Sequence, residues 1–395
     1  MRWKTAALAD LADVFNGKTP SKKEQRDRGH PVLKIKDVNE DSLFKGSFES
    51  FCEPELADKF ENKRIKLNDT LILNAAHNSD YVGSKQYCAE QAVVNALPTG
   101  EWLVVRANNK DLQPRFLNYW LKSPQTRFQI KQLVKGIHLY PKDVARLKIS
   151  LPPIEEQKRI VSILDMADAI RRKRQQAIQF ADDFLRSAFL DMFGDPVTNT
   201  KGWEIKPLGE VSTFENGDRS SNYPSGEDIV KSGVLFLSTK NIVYDTLDLK
   251  KIQFITRDKF SSLSRGKVQK GDLIITLRGT LGACCIFDCE YEQAFINAQM
   301  MIIRPHDSVK STFLHDLLVS KAIKAHLQSL GQGGAVPQLT ANQLKELRLP
   351  IPSIDEQVKY EAARKVIFGL LDKMPRSTNR DLFDSLSQKA FSGLI

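Results

Sequence analysis

Apolar runs of strand type punctuate the first 150 residues of this 395-residue chain: Val32-Leu33-Lys34-Ile35, Thr70-Leu71-Ile72-Leu73 and Trp102-Leu103-Val104-Val105, each set between polar loops. After Pro114 the period changes, with Phe116, Leu117, Trp120 and Leu121 falling on one helical face. Residues 200–350 repeat the scheme with Val234-Leu235-Phe236-Leu237, Leu273 to Leu277, and Met300-Met301-Ile302-Ile303. Here the spacing predicts one helix from Phe313 through Leu317 and Ile323 to Leu327. Both stretches read as α/β or α+β globules of roughly 150 residues.

Each globule leads into a different pattern. After Pro152-Pro153 no Pro or Gly occurs until Gly194. Apolar or small residues recur at Ile160, Ile163, Ala167, Ile170, Ala177, Ala181, Phe184 and Ala188, a heptad stripe. A helix of that length rises about 60 Å, and Gly194-Asp195-Pro196 should stop it. The second globule leads through Ser353-x-x-Glu356, a capping-box pattern, into Val358, Ala362, Val366, Leu370 and Met374. Pro375 should interrupt that helix, and Leu382, Leu386 and Ala390 predict that it resumes. Two such helices can bury their stripes on each other as an intramolecular antiparallel coiled coil.

The chain is thus written twice. Leu8-Ala9-Asp10-Leu11 to Asn16-Gly17 returns as Leu208-Gly209-Glu210-Val211 to Asn216-Gly217, and Leu151-Pro152-Pro153-Ile154-Glu155-Glu156-Gln157 as Ile351-Pro352-Ser353-Ile354-Asp355-Glu356-Gln357. Between these ends Asn68-Asp69 matches Gly271-Asp272, and Asn95-Ala96 matches Asn297-Ala298. A repeat near 200 residues is far longer than a solenoid unit, so each copy is large enough for its own core. The expected order is a globule over 1–150, a long helix over 151–195, a second globule over 196–350 and a second long helix over 351–395.

Charge and chemistry narrow the function. Lys and Arg exceed Asp and Glu by 58 to 48, a net +10 that favours a polyanionic partner. No apolar run is long enough to span a bilayer, and the start of the chain lacks a signal-peptide core. Cys52, Cys88, Cys284, Cys285 and Cys289 form no Cys-x-x-Cys pair. Adjacent Cys284 and Cys285 on a strand would point to opposite faces, which argues against a metal site. The expectation is a cytoplasmic, reduced, metal-free protein. Asn16-Gly17-Lys18-Thr19 resembles the end of a phosphate loop, but Ala12 stands where its first glycine belongs. No dinucleotide fingerprint, methyltransferase tetrapeptide or hydrolase elbow is in place, and the six histidines are scattered. The balance moves towards binding.

Further motifs carry a resemblance. They are Gly17-Lys18-Thr19-Pro20-Ser21, the Asn68-Asp69 and Gly271-Asp272 turns, and Arg278-Gly279-Thr280-Leu281-Gly282. The lead into Glu156-Gln157-Lys158-Arg159-Ile160-Val161, the exit Met192-Phe193-Gly194-Asp195-Pro196 and the final Ala390-Phe391-Ser392-Gly393 complete the set. Together they resemble the specificity (S) subunit of type I restriction-modification systems, over the whole chain. The resemblance implies two target recognition domains alternating with two long helices, and a subunit without catalytic residues of its own. It also implies that each domain reads one half of a bipartite, asymmetric double-stranded DNA target. The helices would set the spacing and dock two methyltransferase subunits, to which nuclease/translocase subunits can add. S-adenosylmethionine, ATP and Mg are then expected on those partners, with no cofactor on this chain. The rivals are a self-sufficient DNA methyltransferase or nuclease, and a coiled-coil scaffold without DNA readout.

Candidate DNA contacts follow from residue type, since phosphates take Lys and Arg while base edges take Arg, Lys, Asn, Gln and polar aromatics. In the first globule these are Lys18, Lys22, Lys23, Arg26 and Arg28 of one basic loop, then His77, Asn78 and Tyr81 after a strand, and Lys135, His138 and Tyr140. In the second they are Arg219, Asn222 and Tyr223, then Lys240 and Asn241, and Arg278 at a strand end where Gly279 and Gly282 permit close approach. Gly331-Gln332-Gly333-Gly334, leading to Gln338, reads as a simple linker. Arg171-Arg172-Lys173-Arg174 spans a full helical turn and reads as a solvated or partner-binding face. Gln157 and Gln357, at equivalent positions, point to a structural role where globule meets helix.

Overall fold

The computed structural model describes residues 3–218, 220, 222–331, 337–372 and 379–394. The chain divides into two compact units, Met1–Gln175 with Pro375–Ile395, and Gln176–Met374. Each unit therefore contains one globule, the start of the long helix that follows it and the end of the other.

In the first globule the strands Ala12–Asn16, Trp102–Ala107, Thr70–Leu73 and Gln86–Cys88 lie in that order in one antiparallel sheet. All four residues of Thr70–Leu73 are buried because the sheet is covered on both faces. Ile72, Leu103 and Val105 join a core with the Pro114–Lys122 helix, while Leu71, Trp102 and Val104 face a second core beneath Leu33, Tyr87 and Val93. Burial on both faces explains why these strands read as unbroken apolar runs instead of alternating ones. The second globule repeats the plan with Ser212–Asn216, Met300–Pro305, Leu273–Thr276 and Cys284–Ile286. Cys284 and Cys285 enter opposite cores, as strand geometry requires, and all five cysteines are free thiols. In each globule a second sheet contains one parallel pair, His30–Leu33 with Leu97–Pro98 and Val234–Leu237 with Gln293–Ile296.

The repeated sequence motifs prove to be backbone devices. Asn68 and Gly271 both sit in the left-handed region, at φ 65° and 88°, which explains Asn in one copy and Gly in the other. The Asp that follows each is buried on an arginine: Asp69 on Arg106 and Asp272 on Arg304. At Gly17 and Gly217 a Cβ would stand 2.3 Å and 2.2 Å from a carbonyl oxygen of the strand alongside, so only glycine lets the backbones pass. One expected match fails. Thr99 and Asn297 both donate their amide to the parallel partner strand, at Leu33 and Leu237, so Asn297 corresponds to Thr99 and not to Asn95. Loop lengths between the strands shift the repeat by a few residues here.

Antiparallel pairs Lys4–Ala7 with Lys148–Leu151, and Glu204–Pro207 with Arg348–Ile351, close each globule at the base of its long helix. The first long helix runs Ile154–Phe193, 40 residues, and Gly194 ends it at φ 77°. The second appears as Ile354–Asp372 and Asn379–Phe391, with Pro375 outside the described residues. In the second unit Phe189 and Phe193, from the end of the first helix, meet Tyr360 near the start of the second, with ring centroids 5.5 and 5.4 Å apart. In the first unit Ile160, Val161 and Leu164 share a core with Ala390, against which Phe383, Leu386 and Phe391 also pack. The two helices are antiparallel in both units.

Their inward faces differ from expectation. Ile170 and Phe184 are each 60% exposed, and the buried positions beside them are Leu164, Ala181, Leu185 and Phe189. In the second helix Val358, Val366 and Leu370 are exposed, while Gln357 and Tyr360 are buried. In the second helix, side chains that hydrogen-bond to the globule take the inner face, which turns aliphatic ones outward. The helix expected over Phe313–Leu327 is also two, Ser311–Leu318 and Lys321–Leu330, because the chain turns at Val319-Ser320.

Candidate nucleic-acid interface

In the first globule three loops meet around one buried side chain, Asn74. Its Nδ2 donates to Asn16 Oδ1 (2.9 Å), where the basic loop begins, and to the Gly100 carbonyl (3.0 Å). Its own carbonyl accepts the Leu139 amide at 2.7 Å. A β-bridge joins Ala75 to His138, and the Ala76 amide reaches the Ile137 carbonyl. The segments carrying His77, Asn78 and Tyr81 and carrying Lys135, His138 and Tyr140 therefore lie side by side. His77, Tyr81, Lys135, His138 and Tyr140 are exposed there, with Tyr81 62% open. Lys131, which the sequence did not single out, joins them by donating to the Ser79 carbonyl at 2.7 Å. Asn78 has a second duty, since its Oδ1 caps the short turn at Ser79–Tyr81. Lys135 is hydrogen-bonded to Asp143 at 2.7 Å, which holds that carboxyl below its usual range.

The basic loop is only partly free to bind. Lys22, Lys23 and Arg28 are exposed. Lys18 sits over the Phe60 ring at 5.2 Å, and Arg26 is tied to Glu53 and to the Lys23 and Gln25 carbonyls. Arg26 thus closes the turn it was expected to project from.

The second globule builds the same edge with other residues. Leu277 holds Asn74's place, because the Leu339 amide bonds to its carbonyl at 2.9 Å as Leu139 does to Asn74. The bridge Ala75–His138 becomes Arg278–Gln338, and Arg278 Nε donates to Gln338 Oε1 at 2.7 Å. Arg278 is exposed and Gln338 is half-buried, so Gln338 belongs to this edge and is not a plain linker. Gln332, Gly333 and Gly334 lie outside the described residues, as does Arg219. Asn241 corrects a second expectation. It is 5% exposed, and its amide donates to the Asp248 and Lys251 carbonyls while its Oδ1 accepts the Ser238 amide. That side chain is fully occupied in pinning a turn. Tyr223 is half-buried against Phe236 and Phe295, and burial raises its hydroxyl's pKa. Lys240 and Asn222 are exposed, the latter donating to the Ser262 carbonyl at 3.3 Å.

Gln157 and Gln357 stand where each edge's scaffold joins its helix, and both are fully buried. Gln157 accepts the Gln113 amide and donates to the Asp111 and Pro152 carbonyls. Gln357 does the same with Lys310, Ser308 and Pro352. In the arginine run, Arg171 and Arg172 share Asp168, and Arg172 also reaches Glu90, so part of the run braces the first globule.

Two copies of one sequence model, the type I restriction-modification DNA specificity domain, match residues 1–179 and 200–362. The chain belongs to that family. Among members of the type I specificity family it is 21% identical to the MjaVIII specificity subunit of Methanocaldococcus jannaschii, over 94% of this chain and 87% of that one. It is 22% identical to the EcoBI specificity subunit of Escherichia coli, over 99% and 86%. A type I S subunit from M. genitalium shares the fold, with a TM-score of 0.61 at 15% identity over 99% and 96% of the two chains. Each match to the family model spans a recognition globule together with the opening of its long helix, so the family's unit is the reader joined to its helix.

Proposed function

We propose that this chain is the DNA-recognition subunit of a type I restriction-modification complex, and that each globule reads one half of a bipartite, asymmetric target. The observation that carries the reading is the equivalent bridge position. It presents Ala75 and His138 in one globule and Arg278 and Gln338 in the other, on matching scaffolds. A common frame with different groups at one exposed edge is what two readers of different short sequences need. In the first globule His77, Asn78, Tyr81, Lys131, His138 and Tyr140 face the DNA grooves, and Lys18, Lys22, Lys23, Arg28 and Lys135 face phosphates. In the second, Arg278 with Gln338 is the principal base reader, supported by Asn222 and Lys240.

The long helices then serve as spacer and platform. Met166, Ile170, Phe180 and Phe184 on the first, and Val358, Val366 and Leu370 on the second, expose apolar surface beyond what a solvated helix needs. Two methyltransferase subunits dock there, and nuclease subunits add to the assembly in the cytoplasm. S-adenosylmethionine, ATP and Mg belong to those partners, and the transfer chemistry is theirs.

Methylation mapping in a host expressing this chain with its methyltransferase tests the reading. Replacing residues 1–150 with the corresponding domain of another family member should change one half of the methylated motif and leave the other half intact. A change in both halves, or in neither, overturns it. Clear binding of S-adenosylmethionine by the isolated chain would favour a self-sufficient enzyme instead.

A further inference from the structure

Each globule rests on its long helix through a cluster of one tyrosine, one arginine and one aspartate, and the two clusters are built with opposite polarity. The junction glutamines set the equivalence. Gln157 and Gln357 accept the amides of Gln113 and Lys310, so Tyr119 and Asp316 occupy the same site on the equivalent helices Pro114–Lys122 and Ser311–Leu318. By the same register Ile160 corresponds to Tyr360, Leu164 to Arg364 and Asp165 to Lys365.

In the first unit the carboxylate lies on the long helix. Tyr119 Oη donates to Asp165 Oδ1 at 2.5 Å, Arg115 Nε donates to the same oxygen at 3.1 Å, and Arg115 Nη2 also reaches Tyr119 Oη at 3.3 Å. In the second unit the carboxylate lies on the globule. Tyr360 Oη donates to Asp316 Oδ2 at 2.7 Å and Arg364 Nε donates to it at 3.0 Å, both from the long helix. His315 holds the other oxygen, Oδ1, at 2.7 Å. The second cluster is the more enclosed, with Arg364 and Asp316 side chains 20% and 17% exposed against 40% and 38% for Arg115 and Asp165.

We propose that these inverted clusters are an address that keys each recognition domain to its own long helix. A first-position domain set on the second helix would bring Arg115 and Tyr119 against Arg364 and Tyr360, with Lys365 in the place of Asp165 and the nearby Glu361 already paired to Lys365. A second-position domain set on the first helix would bring Asp316 near Asp165 with neither a tyrosine nor an arginine to receive it. Like charges held together in a partly buried contact oppose docking, and a partner removed from such a contact leaves the other charge uncompensated. A domain therefore seats only on a helix that carries its counterpart, Asp165 in the first position and Tyr360 with Arg364 in the second, and exchange between domains of the same position keeps that match. This inference concerns folding and docking, and it stands whatever the DNA target is.

Two measurements on the full-length chain test it. The first compares chimeras in which the first globule is also placed at the second position, joined at residue 352, with and without Y360I, R364L and K365D to give that helix the first helix's face. The plain chimera should lose amide exchange protection at the Gln357 junction, and the substituted chimera should regain it. Equal protection in both overturns the proposal. The second uses the native chain, should neither chimera fold. Asp316→Arg and Arg364→Asp should each lower Tm by roughly 6–12 °C, while the double variant recovers at least half of the loss. Losses that simply add would show that the two residues are not a key and would overturn it.

Discussion

Asp69 and Asp272 perform one task in surroundings of different depth, which makes them a paired test of burial. Asp69 is 2% exposed and its arginine, Arg106, is 11% exposed and also donates to the Asn62 and Arg64 carbonyls. Asp272 is equally buried, but Arg304 is 35% exposed. Removing one partner of a buried pair is costly mainly because the remaining charge stays desolvated. Asp69→Asn should therefore destabilise the first unit by about 3 kcal/mol, and Asp272→Asn the second by about 1–2 kcal/mol, because water reaches Arg304. Urea unfolding followed by site-specific probes in each unit measures both. Equal losses would mean that arginine exposure does not set the cost. The same scale separates reading side chains from scaffold ones. Asn241 and His138 are both reader types by composition, yet only the structure shows that the Asn241 amide is spent on three backbone groups.

At the scale of elements, the Ser311–Leu318 helix meets the second long helix through Asp316, and this contact should respond to pH. Burial opposes ionisation of Asp316, but the His315 hydrogen bond, the Arg364 charge and the Tyr360 hydroxyl outweigh it and hold the carboxyl below its ordinary 3.8. A carboxyl whose folded value is depressed adds stability above its unfolded value and loses it as pH falls through the folded one. The second unit should thus weaken below about pH 4, and Asp316→Asn should lower its stability near neutrality while flattening that acid dependence. Thermal melts of wild type and variant from pH 7 to pH 3 decide it, and parallel curves would remove Asp316 from the account.

Elements also show what the sequence could and could not reveal. Thr70–Leu73, Leu273–Thr276 and the 40-residue helix were legible because four buried residues in a row, or a long stretch free of Pro and Gly, admit few other structures. The helix face was not legible in the same way. Hydrophobic periodicity assigns Val358, Val366 and Leu370 to the inside, whereas Gln357 and Tyr360 take it by bonding to a globule distant in sequence. The reading edge was half legible for a similar reason. Residue type pointed to His77, His138 and Arg278, but Asn74, Lys131 and Gln338 acquire their places through bonds to backbone groups that no local pattern encodes.

Across the whole molecule, a net charge of +10 draws the chain towards DNA without saying where the sequence is read. The proposed division of labour separates the two terms. Lys22, Lys23 and Arg28 are exposed on a loop beside the first reading edge and suit phosphates, whereas Arg278 is oriented by Gln338 at the second edge and suits a guanine. Each phosphate contact adds about 0.9 to the slope of log affinity against log salt. Replacing Lys22, Lys23 and Arg28 together by Ala should lower that slope by roughly 2–3 and weaken target and non-target DNA alike. Arg278→Ala should scarcely change the slope, yet cost about 1–3 kcal/mol on the target and relax one position of the second half-site. Binding titrations of the assembled methyltransferase complex at several salt concentrations, on target and scrambled duplexes, distinguish the two. If Arg278→Ala weakens both duplexes equally, the Arg278–Gln338 pair holds the backbone, and base reading in the second globule belongs to other residues.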